Sequence, residues 1–228
     1  MPTENSKRPD NKQVAITEQN EIDNETAAVV VPPDSGWAWV VMVASFLCCT
    51  VVDGIVFSSG LFMETWKNYF GTSPGYTAFI GSLLSGFYLM AGPFASAMAN
   101  RFGFRPVTIC GALFSSACFA LCYFAESAEY MFFVYGVLGG IGFCMIYIPA
   151  VVIIGFYFEK WRALATGVAL CGSGVGSFIF TPLTEMMLEK LGLKNTMLVQ
   201  AGIILLCAVF GLAFRPIQPI QLSAADVE

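Results

Sequence analysis

The run WAWVVMVASFLCCTVVDGIVFSSGLFM, Trp37 to Met63, decides how the rest of the chain is read. It is apolar from end to end and carries one charged residue, Asp53. About 20 apolar residues are enough for a helix to cross the hydrocarbon core of a bilayer, roughly 30 Å thick. Inside that core a segment has to satisfy its own backbone hydrogen bonds, and a helix does so. Five further stretches repeat the pattern, near Ala78–Ala99, Val107–Ala125, Met131–Phe158, Leu164–Leu188 and Met197–Phe214. Short turns rich in charge, Gly or Pro separate them. The whole sequence agrees, being 57% hydrophobic and 12% charged with a mean hydropathy of +0.70. Soluble domains hold about twice that share of charge. The expected fold class is an all-α polytopic membrane protein with six transmembrane helices.

Residues 1–31 are polar, mixed in charge and free of aromatic residues. They cannot bury enough apolar surface to fold alone and are read as a disordered cytoplasmic tail. They also lack the basic-then-apolar pattern of a cleavable signal, so the first helix is expected to be retained as a signal anchor. Residues 32–217 form the six-helix unit, and 218–228 begin a cytoplasmic loop or tail. The basic residues set the orientation. With a cytoplasmic N-terminus, the inner turns hold Arg101, Arg105, Lys160 and Arg162, and Arg215 follows the last helix. The outer loops then carry Lys67, Lys190 and Lys194 among five glutamates. Both termini are expected to be cytoplasmic, which leaves the sequon Asn24-Glu25-Thr26 unglycosylated. Trp37, Trp39, Trp66 and Trp161 fall at helix ends and read as members of the interfacial aromatic belt.

The eight cysteines all lie within predicted helices and read as soft packing residues. The chain has no histidine, the commonest metal ligand. No metal, cofactor or nucleic acid is expected. Enzyme chemistry finds no nucleophile beside a base and no carboxylates paired at one depth. Gly136 with Gly140, and Gly172 with Gly176, are spaced as G-x-x-x-G. The second pair lies in GVALCGSGVG, which looks superficially like a phosphate loop. No strand precedes it, and close helix packing is the better reading.

Polar residues within the spans carry the functional reading. Ser173, Ser177, Thr181 and Glu185 recur every four residues and form a stripe expected to face other helices or water. The fourth helix contributes Tyr147, and Pro149 that frees a carbonyl and favours a kink. The sixth is apolar apart from Gln200 and reads as lipid-facing. An ionised Asp53 facing lipid would cost about 2.5–3.5 kcal/mol, and such residues usually face the bundle interior on a substrate or proton path. The competing reading makes Asp53 a neutral structural residue bonded to Thr50 or to a neighbouring helix.

Two longer motifs carry a family resemblance. PPDSGWAWVV, Pro32 to Val41, and FYFEKWRALATGVALCGSGVG, Phe156 to Gly176, resemble the two signatures of the monocarboxylate transporter family in the major facilitator superfamily. The turn NRFGFRP, Asn100 to Pro106, and the exit FRPI, Phe214 to Ile217, are similar to that family's turns after its second and sixth helices. The motif residues are Asp34, Gly36, Trp37, Trp39, Arg101, Gly103, Arg105, Tyr157, Phe158, Lys160 and Arg162. Asp34 and Ser35 are suited to cap the first helix. The basic residues serve topology, or contact helix ends that separate during transport.

The resemblance implies the N-terminal six-helix half of a twelve-helix fold that moves small solutes by alternating access. In that arrangement helices one and four line the path, and two and five meet the other half. Asp53, Tyr147, Ser173, Ser177 and Glu185 become the substrate or proton path candidates. The implied partners are a small-molecule substrate, protons, membrane lipid, and a second half or another copy. A single-pass ancillary glycoprotein and the plasma membrane are implied as well. Lactate-carrying members place a lysine in the first helix, but no basic residue occurs here between Trp39 and Met63. Phe57 stands near that position. The substrate is therefore left open between another carboxylate and a neutral solute. A truncated, non-transporting isoform that regulates full-length relatives is the alternative function.

Overall fold

The computed structural model describes residues 36–215. The expected tail, the caps Asp34 and Ser35, the sequon, Ile217 and residues 218–228 lie outside them. Among the described residues every element is helical. Helix α1 (Gly36–Ser58) runs through a 3₁₀ turn (Ser59–Leu61) into α2 (Phe62–Phe70). Gly71, at φ 63°, ends α2 in the left-handed conformation that glycine adopts without strain. Helix α3 (Pro74–Met90) starts on a proline behind Ser73, whose hydroxyl accepts from the Tyr76 N–H. After Ala91 the chain continues as α4 (Gly92–Phe102), bent by 45° from α3. Pro93 has no N–H to return to the preceding turn, which accounts for the bend.

Gly103, at φ 95°, turns the chain into α5 (Phe104–Leu121), which ends in a 3₁₀ turn (Cys122–Phe124). A short α6 (Ala128–Met131) then widens into a π-helical segment (Phe132–Leu138) and narrows to α7 (Gly139–Val152). Pro149 sits inside α7, and the irregularity falls elsewhere. It lies at the π segment and at Ile153, before the last turn α8 (Ile154–Tyr157). Helix α9 (Arg162–Gly211) breaks at Gly192, whose backbone (φ 74°, ψ 174°) is not helical. The loop expected between the fifth and sixth helices is thus a sharp bend.

Four of these helical runs are long and apolar enough to cross a membrane: Gly36–Phe70, Phe104–Phe124, Ala128–Tyr157 and Arg162–Gly211. The bent pair α3–α4 makes a fifth if it counts as one span.

Helix α1 begins the most deeply buried of these runs, and its most extensive neighbour is α9. The expected G-x-x-x-G contacts are there. A Cβ at Gly172 would stand 2.5 Å from the Phe46 carbonyl, and one at Gly176 would run into the Thr50 backbone. In return, a Cβ at Gly54 would stand 2.6 Å from the ring of Phe180. Gly140 on α7 admits the α3 backbone in the same way, at Leu84 and Tyr88, while Gly136 faces the Leu83 side chain. Apolar burial gives little preference between helices in lipid, so such close approach, with its dispersion and backbone contacts, is the main source of association.

One belt assignment fails. Trp66 is fully buried, stacked on Phe62 and edge-on to Tyr135 at 5.2 Å. The widened π segment delivers Tyr135 to that contact. Trp37, Trp39 and Trp161 are exposed, as belt residues are. Gln200, the polar exception on the last arm, is buried, and its amide donates to Thr184 Oγ1 at 3.4 Å, while Leu198, Leu206 and Val209 on that arm are exposed.

These contacts make opposite predictions for two neighbouring glycines. Gly176→Ala should lower the thermal midpoint of the purified protein in detergent by the equivalent of about 1–3 kcal/mol, the usual cost of overpacking. A Cβ at Gly174 meets nothing within 4 Å, so Gly174→Ala should leave the midpoint unchanged or raise it slightly.

Candidate functional site

Asp53 stands midway along the Gly36–Phe70 run and is 4% exposed. Its partner comes from the next span: Tyr88 Oη donates to Asp53 Oδ1 at 2.8 Å. Thr50 is not that partner, because its hydroxyl turns back to the Phe46 carbonyl at 2.8 Å. The Tyr88 ring meets Tyr147 of α7 edge-on, with centroids 5.4 Å apart. Ser173 of α9 is a second hydroxyl beside the same carboxylate. Four spans therefore contribute to one polar cluster within an apolar interior.

Local packing explains why these side chains meet. Gly172 brings α9 onto α1 beside Phe46 and Thr50, which sets the next residue, Ser173, one turn from Asp53. Gly140 brings α7 onto the backbone of Tyr88 itself. Among the described residues the groups around Asp53 are Tyr88, Tyr147, Ser173 and Cys49, and no Lys or Arg is among them. An ionised carboxylate accepts hydrogen bonds only, whereas a protonated one also donates. The cluster thus suits a proton that comes and goes, with hydroxyls able to answer either state. No group of three or more metal-ligating side chains occurs among the described residues.

The remaining candidates divide. Tyr147 and Ser173 are half-buried and join the cluster. Ser177 is half-buried but donates to the Ser173 carbonyl at 3.0 Å, within its own helix. Glu185 is exposed and lies three turns beyond Ser173. It does not come near Asp53, and the stripe parts company along α9. The buried polar residue at that level is Thr184, whose hydroxyl donates to Ser58 Oγ at 3.4 Å. Tyr88 was not singled out from the sequence. Its signal was a phenol inside the apolar segment SGFYLM, where the hydroxyl needs a partner.

The motif residues gather at the opposite end of α1. Trp37 Nε1 donates to the Ala213 carbonyl at 3.2 Å, and the Arg215 guanidinium lies 4.0 Å above the Trp37 ring. Tyr157 Oη donates to the Arg215 carbonyl at 2.9 Å. Trp39 packs edge-on against Phe158, with centroids 5.6 Å apart. Gly36, Arg101, Arg105, Lys160 and Arg162 are exposed. The Arg162 guanidinium lies over Gly155, where a Cβ would meet it at 2.9 Å. Gly103 forms the turn between α4 and α5. Trp37, Trp39, Tyr157 and Phe158 join separate segments of the chain, and no motif residue is among the groups around Asp53.

Similar sequences are known. A profile of the Major Facilitator Superfamily matches residues 38–226. The chain is 37% identical over 186 residues to monocarboxylate transporter 14 of Homo sapiens, an overlap covering 82% of this chain and 36% of that protein. It is 33% identical over 186 residues to monocarboxylate transporter 12 of Xenopus laevis, covering 82% and 40%. Against monocarboxylate transporter 9 of Rattus norvegicus it is 36% identical over 186 residues, covering 82% and 37%. The chain spans well under half the length of these relatives. The profile, by contrast, covers most of this chain, and the spans it crosses are those that pack around Asp53: the chain belongs to the Major Facilitator Superfamily.

Proposed function

We propose that the chain forms the N-terminal six-helix half of a secondary transporter for monocarboxylates or related small organic solutes. Transport proceeds by alternating access and is coupled to protons through Asp53. The observation that carries this reading is a buried carboxylate at mid-span, held by the hydroxyl of another span and with no cation beside it among the described residues. Superfamily membership and the names of the similar proteins support the transport part. The break at Gly192 supports the count of six, since it divides α9 into arms 162–191 and 193–211.

Protonation changes what Asp53 offers. The ionised form accepts from Tyr88 and so ties α1 to α3. The protonated form carries no net charge and needs an acceptor as well as a donor. A proton therefore reweights contacts among α1, α3, α7 and α9, the elements whose relative movement alternating access requires. A second six-helix half covers these surfaces in the working transporter. The plasma membrane, cytoplasmic termini and a single-pass ancillary glycoprotein complete the proposal.

Two measurements test it. In proteoliposomes of the working transporter, with its second six-helix half, uptake of labelled lactate should rise as the outside is acidified. Asp53→Asn should flatten that response and lower uptake about tenfold, or about 1.4 kcal/mol; an unchanged pH profile would falsify proton coupling through Asp53. Separately, Tyr88→Phe should destabilise the folded protein by about 1–3 kcal/mol in detergent unfolding, because it leaves a buried acceptor unpaired. In the Asp53→Asn background the same change should cost less, the mark of a direct interaction.

A further inference from the structure

A groove of about 430 Å³ runs along α1 where the last turns of α9 lie beside it. Val40, Val43 and Leu47 are spaced by three and four residues and form one stripe of α1, with Val209 and Phe210 of α9 opposite. The small side chains of Ala44 and Ala213 leave the gap between these walls. Among the described residues that line it, Trp39 alone has a polar side-chain atom, the indole N–H at one end. From Trp39 to Leu47 the groove follows α1 for about 12 Å, at about 1.5 Å per residue. One leaflet of hydrocarbon is nearly as deep, being half of about 30 Å. The groove points from the tryptophan end of α1 towards mid-span. A helix about 10 Å across and equally long would occupy roughly twice its volume, whereas an extended acyl chain is far thinner. Membrane helices also meet through small residues, but the rim here is the exposed Val40, Val43 and Val209.

The tryptophan end of the groove carries a cation. Trp37 donates its N–H to the carbonyl of Ala213, a lining residue, and the Arg215 guanidinium lies 4.0 Å above the same indole. Contact with a ring face holds a guanidinium without using its N–H donors, so the fork stays able to take a phosphate by two hydrogen bonds. Arg215 is exposed. Trp39 packs on Phe158, and the two residues that follow, Glu159 and Lys160, offset each other in charge. Arg215 therefore supplies the net charge at this mouth. We propose that the groove binds one anionic phospholipid, with an acyl chain along Val40, Val43 and Leu47 and the phosphate on Arg215. The lipid touches the first and last spans at once and caps the contact between Trp37 and the exit from α9. This site lies apart from the Asp53 cluster and does not rest on the transport reading.

The test places the complete protein in phosphatidylcholine bilayers that contain a phosphatidylglycerol with a photoactivatable diazirine on its acyl chain. Labelling should concentrate on residues 39–47 and 209–213. Unlabelled phosphatidylglycerol added to the bilayer should suppress it, and the same amount of zwitterionic phosphatidylethanolamine should not. Arg215→Gln should weaken that competition about fivefold, the usual gain from one basic residue at an anionic surface. Arg215→Lys, which keeps the charge and loses the planar fork, should retain most of it. Val43→Trp fills the groove from an exposed rim position and should remove the labelling of both segments. If that variant fails to fold, Val209→Trp does the same from the opposite wall. Equal competition by the two unlabelled lipids marks an ordinary lipid-facing surface and overturns the proposal. Labelling that avoids both segments, as a second copy or another helix covering them would cause, overturns it too. So does a folded Arg215→Gln protein whose labelling and competition match the wild type.

Discussion

The seam between α1 and the first arm of α9 sets the position of everything described above. Gly172 and Gly176 let the second helix rest on the backbone of the first at Phe46 and Thr50. At that separation any side chain would act as a spacer. It would move Ser173 away from Asp53 and open the interior to lipid or water. The seam gains its stability from dispersion and close dipolar contact, because hydrocarbon outside the helix is no less apolar than leucine inside it. Two polar contacts lie along the seam. Ser173 approaches Asp53 near its centre, and Thr184 reaches Ser58 further along.

Polar groups at these depths are tolerable only in company. Thr50, Thr108 and Ser177 bond back to their own helices, which makes them neutral to their neighbours. Asp53 and Thr184 reach across to other spans, and that difference separates packing residues from those able to register a change between helices. The Thr184 hydroxyl sits between Ser58 and Gln200, while Gln200 Oε1 has no partner. This second network carries no ionisable group and lies away from Asp53. It is glue of the usual kind for membrane helices.

Much of the fold was legible because hydrophobic length is a coarse signal that survives local error. The segments around Trp37, Val107 and Met131 stand where their apolar runs put them. The second was harder to bound: Pro93 bends it, and its first turn, PGYT, looks like loop until Ser73 caps it. The fifth and sixth read as separate helices, and Gly192 breaks them, but without the polar loop that Glu189–Lys194 suggested. Asp53 announced itself as a charge where charges are costly. Tyr88 did not, because tyrosine is as common at an interface as in a core. Its role depends on which face of α3 meets α1, a tertiary fact that one sequence does not encode locally. Glu185 differs from Asp53 in another way: a four-residue repeat drifts around a helix, so its last member need not share the surroundings of its first.

The clasp at the far end of α1 bears on the chain that follows. Arg215 is held twice, its carbonyl by Tyr157 and its guanidinium by the face of Trp37, while Ala213 is held by the indole N–H of the same tryptophan. The segment leaving the last helix therefore departs from an anchored point beside the first turn of α1. Arg215 is thus a fixed point, and a tether to any later part of the protein is shorter by the residues the clasp holds. A shorter tether confines what it carries to a smaller volume and raises its effective concentration at the helical bundle. Under the proposed alternating access, a rotation of the helices would carry the Arg215 anchor with it, so motion would pass to whatever chain follows rather than be absorbed at its root.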